Sequence, residues 1–118
     1  MALGNPASPA GYVAGSITLA ANTVANVLAL IQAQLAPNCP GTAVEFQISG
    51  DAANTQPVMA GAASSLGGPL SATNWAYELK PGCTARGYRS AYPGTSTPIG
   101  ELQVFSTAAA VLHVEVVT

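Results

Sequence analysis

The sequence predicts a mainly β protein: a small antiparallel β-sandwich or jelly roll with one short helix and an extended N-terminal arm. Three observations lead to this fold class. Short segments in which apolar and polar residues alternate, separated by turn-forming clusters, fill the chain from residue 42 onward. A single stretch carries apolar residues at helical spacing, and the first 15 residues show neither period. We therefore expect an arm over residues 1–15 and a single β-sandwich domain over residues 16–118, a length that fits one domain.

The N-terminal segment, MALGNPASPAGYVAG, is rich in Gly, Ala and Pro, which is typical of an extended arm that becomes ordered on a partner. A frayed terminus has the same composition and stays open as an alternative. Tyr12 and Val13 are the residues that we expect to anchor the arm.

The segment after the arm combines a strand with a helix. Residues 16–21, SITLAA, indicate a short strand, and residues 24–35 indicate an amphipathic helix. Asn22 and Thr23 are candidate caps for this helix, and Pro37 ends it. The apolar positions that carry the helical period are Val24, Val27, Leu28, Ile31 and Leu35. A β conformation for residues 24–30 remains open, because β-branched residues dominate the start of the stretch.

Strand patterns dominate the rest of the chain. In TAVEFQISG, Val44, Phe46 and Ile48 alternate with polar neighbours, as in a half-buried strand. Gly, Pro, Ser, Thr and Asn clusters separate the strands, which indicates turns. The remaining predicted strands cover residues 57–62, 74–80, 85–90, 101–106 and 110–118.

The chain carries very little charge. The first 44 residues have no charged side chain, and the complete set is Glu45, Asp51, Glu78, Lys80, Arg86, Arg89, Glu101 and Glu115. An ordinary domain carries about a quarter of such residues, so the composition favours surfaces that are covered by other protein. Three basic residues do not form the stripe that a nucleic-acid partner requires. Polar residues interrupt the uncharged stretch, so we expect no membrane span and no targeting segment.

Catalytic and metal-binding signals are weak. His113 is the only histidine, and alternation places it on the same side of its strand as Val111 and Glu115. Asp51 and Glu115 are candidate acids for a hydrolase, but no G-x-S-x-G segment occurs. The acids are scattered and no phosphate-binding loop is present, so we expect no enzyme, no metal and no cofactor.

The two cysteines leave their pairing open. Cys39 and Cys83 both lie beside predicted turns, in NCPG and PGCT. Their spacing fits neither a CxxC redox pair nor a zinc site. A disulfide and two free thiols are both compatible with the sequence.

The aromatic residues are candidate contact residues. Trp75 and Tyr77 alternate on one face of a predicted strand, and a second group that mixes tyrosine with arginine follows: Arg86, Tyr88, Arg89 and Tyr92. These residues fit a sandwich core, a protein interface or a glycan-binding face, since Trp, Tyr and Arg are enriched at interfaces. The arginines also allow an ion pair with Glu78 across a hairpin. We expect Tyr12, Val13, Trp75, Arg89 and Tyr92 to contact a protein partner.

Four segments of the chain resemble a known group of proteins. They are LALIQAQLAPNCPGTAVEFQIS, GAASSLGGPLSATNWAYEL, YRSAYPGTSTPIGELQV and LHVEV, which together cover most of residues 16–117. In these segments the chain resembles small virion structural proteins of tailed bacteriophages, of the kind that act as capsid cement or decoration proteins. The shared features are turns and strand patterns rather than a functional signature.

The resemblance implies a non-enzymatic protein on the outer surface of the capsid, made in the host cytoplasm. Such a protein binds across neighbouring subunits of the major capsid protein and stabilises the expanded head. It also implies self-association, as a homotrimer or homodimer at symmetry axes of the shell. A β-sandwich module of a fibre or tail, which binds host glycan or another virion protein, is the alternative.

Overall fold

The computed structural model describes residues 12–43, 45–82, 85–88 and 98–117. Within these residues the strands are β1 (Tyr12–Leu19), β2 (Ala25–Asn26), β3 (Glu45–Gly50), β4 (Val58–Ala62), β5 (Tyr77–Leu79), β6 (Ala85–Tyr88), β7 (Leu102–Phe105) and β8 (Ala110–Val117), and the α-helix is α1 (Val27–Gln34). The strands form two antiparallel sheets. Sheet I has the order β1-β8-β3-β6, and sheet II has the order β2-β7-β4-β5. The predicted fold class, a mainly β sandwich with one short helix, is confirmed for this part of the chain.

The pairing of the strands follows one rule. Each of the first four strands pairs with one of the last four: β1 with β8, β2 with β7, β3 with β6 and β4 with β5. Two further pairings, β3 with β8 and β4 with β7, join these pairs into the two sheets. The chain therefore has the connectivity of one long antiparallel hairpin, whose strand pairs are folded together into the two sheets.

The core lies between the sheets and is built from small and medium aliphatic residues. Alternate residues of each strand point inward, so that the buried positions of β8 are Leu112, Val114 and Val116. Phe46 and Ile48 of β3 lie beside them, and the alternation predicted for this strand is confirmed from residue 45 onward. The remaining large side chains of this core are Ile17, Leu19, Val27, Ile31, Val58, Leu79, Ile99, Leu102 and Val104, and Leu70 is also buried.

The boundary of the predicted arm is wrong. Residues 12–15 belong to β1, which pairs continuously with β8 from Tyr12 opposite Val117 to Leu19 opposite Ala110. Small residues, Ala14 and Gly15 among them, hide the alternation in the sequence, whereas the backbone of β8 supplies a partner for every residue. The rest of the predicted arm, residues 1–11, lies outside the described residues.

The helix is shorter than its apolar pattern predicts. Ala25 and Asn26 pair with β7, so α1 begins only at Val27. The β alternative for residues 24–30 is therefore correct for these two residues and wrong for the helical ones. The predicted caps, Asn22 and Thr23, do not cap α1: Asn26 does, and its side chain accepts a hydrogen bond from the N–H of Ala29 at 3.0 Å.

Two predicted strands are shortened, and one predicted hairpin is wrong. The segment 74–80 forms a strand only over Tyr77–Leu79, and the segment 101–106 begins with a 3₁₀ turn at Ile99–Glu101. Because β5 lies in sheet II and β6 in sheet I, the two do not form a hairpin. Glu78 lies opposite Met59 and Arg86 opposite Ile48, so Glu78 and Arg86 are not cross-strand neighbours; Arg89, the other predicted partner, lies outside the described residues.

The segment between β4 and β5 lies against the outside of sheet II. It begins with a 3₁₀ turn at Ala63–Ser65, and the side chain of Leu66 sits on Gly61 of β4. A Cβ atom on Gly61 would lie 2.8 Å from Leu66 Cδ2, so a larger residue there would push the Leu66 side chain aside. The backbone N–H of Ala76 donates to the carbonyl of Ala60 at 3.0 Å, which fixes the end of the segment beside β4.

The double role of Asn26 gives a stability prediction. Asn26 caps α1, and its side-chain amide also donates to the carbonyl of Gly100 at 2.8 Å. Loss of a cap costs about 0.5–2 kcal/mol, so we expect Asn26→Ala to lower the free energy of unfolding by ~1–2 kcal/mol in urea titrations. Asn38→Ala, at an exposed asparagine outside the helix, is the matched control and should change it by less than about 0.5 kcal/mol. Equal effects of the two substitutions would contradict the capping role.

Candidate binding surface

The outward side of sheet I carries a polar face. Alternate residues of β1, β8 and β3 point away from the core, and those of β1 and β8 are paired across the strands. We call this surface the polar outer face, and its members are Tyr12, Ala14, Ser16, Thr18, Glu45, Gln47, Ser49, Val111, His113, Glu115 and Val117. It joins the chain's only histidine to two of its five acids.

One end of this face is held by a hydrogen bond between Tyr12 and Glu115. The Tyr12 hydroxyl donates to Glu115 Oε2 at 2.6 Å, although 46 % of Tyr12 is exposed. Tyr12 lies opposite Val117, so the bond runs diagonally across the strand pair. The bond to Glu115 raises the pKa of the Tyr12 phenol above its ordinary value, because the protonated form is the donor.

The middle of the face carries a chain of three hydrogen-bonded side chains. Ser16 and His113 are direct cross-strand partners, and Ser16 Oγ lies 2.9 Å from His113 Nδ1. His113 Nε2 lies 2.8 Å from Asp51 Oδ1, in the turn that follows β3. An ionised carboxylate only accepts hydrogen bonds, so neutral His113 carries its proton on Nε2 and accepts from the Ser16 hydroxyl at Nδ1.

Asp51 is fixed in its turn by backbone contacts as well. Its Oδ2 atom accepts from the N–H of Ala53 at 2.9 Å, and its own N–H donates to the carbonyl of Val111. The bond from Ala53 and then the one from His113 lower the pKa of Asp51 below its ordinary 3.8, since both stabilise the ionised form. The three side chains thus tie β1 and β8 to the turn after β3.

These residue types are those of a serine hydrolase, but their setting is different. Acyl transfer needs preorganised donors for an oxyanion and a site that excludes water. Here the His113 side chain is 48 % exposed on the face of a sheet, and that of Asp51 is 32 % exposed. We interpret the group as a surface hydrogen-bond chain, and the expectation that the protein is not an enzyme stays a prediction.

The outer edge of β1 is largely open in the described part of the chain. The N–H of Thr18 donates to Gln34 Oε1 at 2.8 Å, and Gln34 Nε2 donates to the carbonyl of Thr18 at 3.1 Å. The side-chain amide of Gln34 therefore occupies the place of a neighbouring strand. Since backbone groups alternate in direction, those of Tyr12, Ala14 and Ser16 point to the same side as those of Thr18. We call these three residues the open edge, because no described strand pairs with them.

The predicted contact residues lie in different places. Tyr12 belongs to the open edge, whereas Val13 points to the inner side of β1 and packs partly against the core. Trp75 lies in the loop before β5 and is 41 % exposed. Arg89 and Tyr92 lie outside the described residues.

The predicted aromatic face of Trp75 and Tyr77 is wrong. Tyr77 begins β5 and packs partly against the core, while Trp75 precedes the strand. A tight turn closed by backbone hydrogen bonds between Ser71 and Asn74 comes just before Trp75. The Trp75 indole N–H donates to the carbonyl of Ala72 at 3.2 Å, which holds the ring on this turn.

Sequence reasoning missed Ser16 and Gln34 at this surface, and it named Asp51 only as a candidate acid for a hydrolase. Ser16 and Asp51 are 97 and 62 residues from His113, and no local pattern links them. Gln34 is 16 residues from Thr18 and was visible only as a polar position of the helix. Ser16 could be recognised as a neighbour of His113 only from the register of β1 on β8, which places the two residues opposite each other.

We also searched the described residues for metal sites, membrane-spanning helices and reactive cysteines. No group of three or more His, Cys, Asp or Glu there is arranged to hold a metal ion. No helix in the same ranges has the length and hydrophobicity to cross a membrane. Cys39 is a buried free thiol, and burial raises its pKa; Cys83 lies outside the described residues.

Comparison with known proteins gives no further guide. No protein-family model matches the chain, and neither a curated protein nor a solved structure matches it. Any function must therefore be inferred from the residues and geometry described above.

The Tyr12–Glu115 bond predicts a raised phenol pKa that depends on Glu115. A raised pKa in the folded state means that the bond's contribution is fully present below the ordinary tyrosine pKa of 10.0 and is lost as pH rises through the higher folded value. In an NMR pH titration we expect Glu115→Ala, which removes the acceptor, to move the Tyr12 midpoint down toward 10.0. An unchanged midpoint in this variant would show that Glu115 does not hold the phenol.

The Asp51 contacts predict sensitivity to acid. Because the pKa of Asp51 is lowered in the folded state, its stabilising contribution is present above 3.8 and is lost as pH falls through the lower folded value. Between about pH 5 and pH 2, Asp51→Asn should lose less stability in urea titrations than the wild type. Glu45→Gln is the matched carboxyl-to-amide control on the same face. Parallel curves for Asp51→Asn and the wild type would refute the assignment.

Proposed function

We propose that this chain is a non-enzymatic virion structural protein of a tailed bacteriophage, a capsid cement protein that binds across neighbouring subunits of the major capsid protein. It lies on the outer surface of the expanded head, which it stabilises, and it associates with itself as a homotrimer or homodimer. The observation that carries the proposal is the open edge of β1: a small, charge-poor β-sandwich leaves one long strand available for protein contact.

The pairing of the strands supports the proposal at the level of topology. A rolled-up hairpin with the sheet orders β1-β8-β3-β6 and β2-β7-β4-β5 is the arrangement expected of an eight-stranded jelly roll. Jelly rolls are frequent in viral capsid domains. The topology thus agrees with the resemblance seen in the sequence, although the same fold also serves unrelated functions.

The surface chemistry also favours contact with protein. Burying an ion is costly, and a surface with few charges avoids that desolvation penalty. A neutral contact is only weakly sensitive to salt, which suits a particle that leaves the cell. Many copies on one lattice make modest individual contacts sufficient. An open strand edge adds contacts between copies of the chain through backbone hydrogen bonds, which require no particular side chain.

A second candidate, a fibre or tail module that binds host glycan, is favoured by one observation. Trp75 is exposed in a well-braced loop, and an exposed aromatic ring can stack on a sugar. The burial of Tyr77 against the core removes the neighbouring aromatic that such a face would use. The cement proposal therefore has the broader support.

The two candidates are separated by binding experiments. Purified chain added to expanded heads that lack it should occupy regular positions, seen by cryo-EM and counted on gels. Deletion of residues 2–11, which leaves β1 intact, should abolish this occupancy, and circular dichroism should show an unchanged fold; unchanged occupancy would rule out a role of the arm in head binding. Trp75→Ala should bind heads like the wild type, and neither protein should bind a glycan array. Glycan binding that Trp75→Ala removes, with no head occupancy, would establish the fibre function instead.

A further inference from the structure

We infer that the open edge of β1 is a self-association site, at which β1 pairs antiparallel with β1 of a second copy about a two-fold axis at Ala14. This inference deepens the homo-oligomer part of the proposed function and rests on it only for its place in the virion. The pairing itself is argued from β1 alone.

The first argument is the length of the edges. Among the described strands, the other three edge strands have two, three and four residues, for β2, β5 and β6, whereas β1 has eight. Monomeric proteins protect a long edge with charged residues, proline or a bulge. β1 reads YVAGSITL, with no charge and no proline, and its register on β8 runs without interruption. Apart from the Gln34 amide at Thr18, the described residues give this edge none of these protections against pairing.

The second argument is the position of the Gln34 amide. Backbone groups point outward at Tyr12, Ala14, Ser16 and Thr18, and Gln34 occupies only those of Thr18. The three open positions are symmetric about Ala14. An axis there pairs Ala14 with the partner's Ala14 and Tyr12 with the partner's Ser16. All three open residues are then used, with roughly six backbone hydrogen bonds, while the capped residue is not needed. An axis at Gly15 would require Thr18 and would have to displace Gln34, whereas an axis at Val13 would leave Ser16 without a partner among the described residues.

The third argument is that the side chains allow the close approach. Ala14, at the axis, is small and exposed, so two copies meet there without a clash. Tyr12 would lie beside the partner's Ser16 on the polar outer face, and no like charges oppose each other because β1 has none. A second copy is therefore a better occupant than a charged strand of another protein, which would find no complementary charge on β1.

The test uses charge reversal at the axis. By light scattering and sedimentation, we expect the wild type to have twice the monomer mass of 11.7 kDa. Ala14→Lys and Ala14→Glu should each be monomeric, since like charges then face each other, and an equal mixture of the two should dimerise again. Gln47→Lys, on the same face but on β3, is the matched control and should remain dimeric. Circular dichroism checks that each variant is folded.

A cross-link gives a second, independent readout. Directly opposed residues in a hydrogen-bonded pair have Cα atoms about 5.5 Å apart, which is within disulfide range. Ala14→Cys should therefore form a covalent dimer on mild oxidation, whereas Gln47→Cys should not.

Three outcomes would overturn the inference. They are a wild type that stays monomeric up to about 0.5 mM, an oligomer that Ala14→Lys leaves intact, and pairing of β1 with a capsid-protein strand on the head. Each of these leaves the capsid proposal to be judged by head occupancy alone. Conversely, a dimer that never binds heads would refute the capsid proposal and keep the β1 pairing.

Discussion

The pairing of β8 with β1 on one side and β3 on the other is the interaction on which the rest of the molecule depends. β8 is eight residues long and contributes Leu112, Val114 and Val116 to the core. Its opposite side carries His113 and Glu115, which bond to residues of β1 and of the turn after β3. One strand thus creates both the hydrophobic core and the polar outer face. β8 pairs with β3 on one side and with β1 on the other. β1 therefore has a neighbour on one side only and forms one edge of sheet I.

Because the chain has few charged residues, neutral side chains form the hydrogen bonds to backbone groups near the strand ends. Where another protein would use ion pairs, this chain uses the neutral amides of asparagine and glutamine, which donate and accept at once. Asn54 bonds to both the N–H and the carbonyl of Val111, at 2.8 and 2.9 Å, just as Gln34 does at Thr18. Asn26 caps α1 while it holds the carbonyl of Gly100. These amides satisfy backbone groups without the desolvation cost of ions, so a nearly neutral surface remains compatible with a closed fold.

The sequence predicts an element of the fold correctly where the pattern that defines it lies within a few neighbouring residues. β3 and β8 alternate cleanly, so their strands and inward residues follow from the sequence. For β1 the sequence predicts a start at residue 16, because Ala14 and Gly15 give no alternation. Only the register of the strand on β8 reveals its full length. The prediction that Trp75 and Tyr77 share one face extends the alternation of a strand to Trp75, which lies before β5 beside a turn. The chain of Ser16, His113 and Asp51 needs contacts between distant residues, which no local pattern contains.

An open edge is normally a liability, because a strand that accepts one partner can recruit an endless series of them. Pairing about a two-fold axis avoids this outcome, since the same edge is used by both copies and none is left over. The described strands that would then end the joined sheet are the two copies of β6, with only four residues each. The Gln34 amide at Thr18 acts in the same direction, because it blocks the register centred on Gly15, in which Thr18 would pair with Tyr12 of the second copy. In the inferred dimer, the single neutral side chain of Gln34 thus helps to limit the edge to one partner.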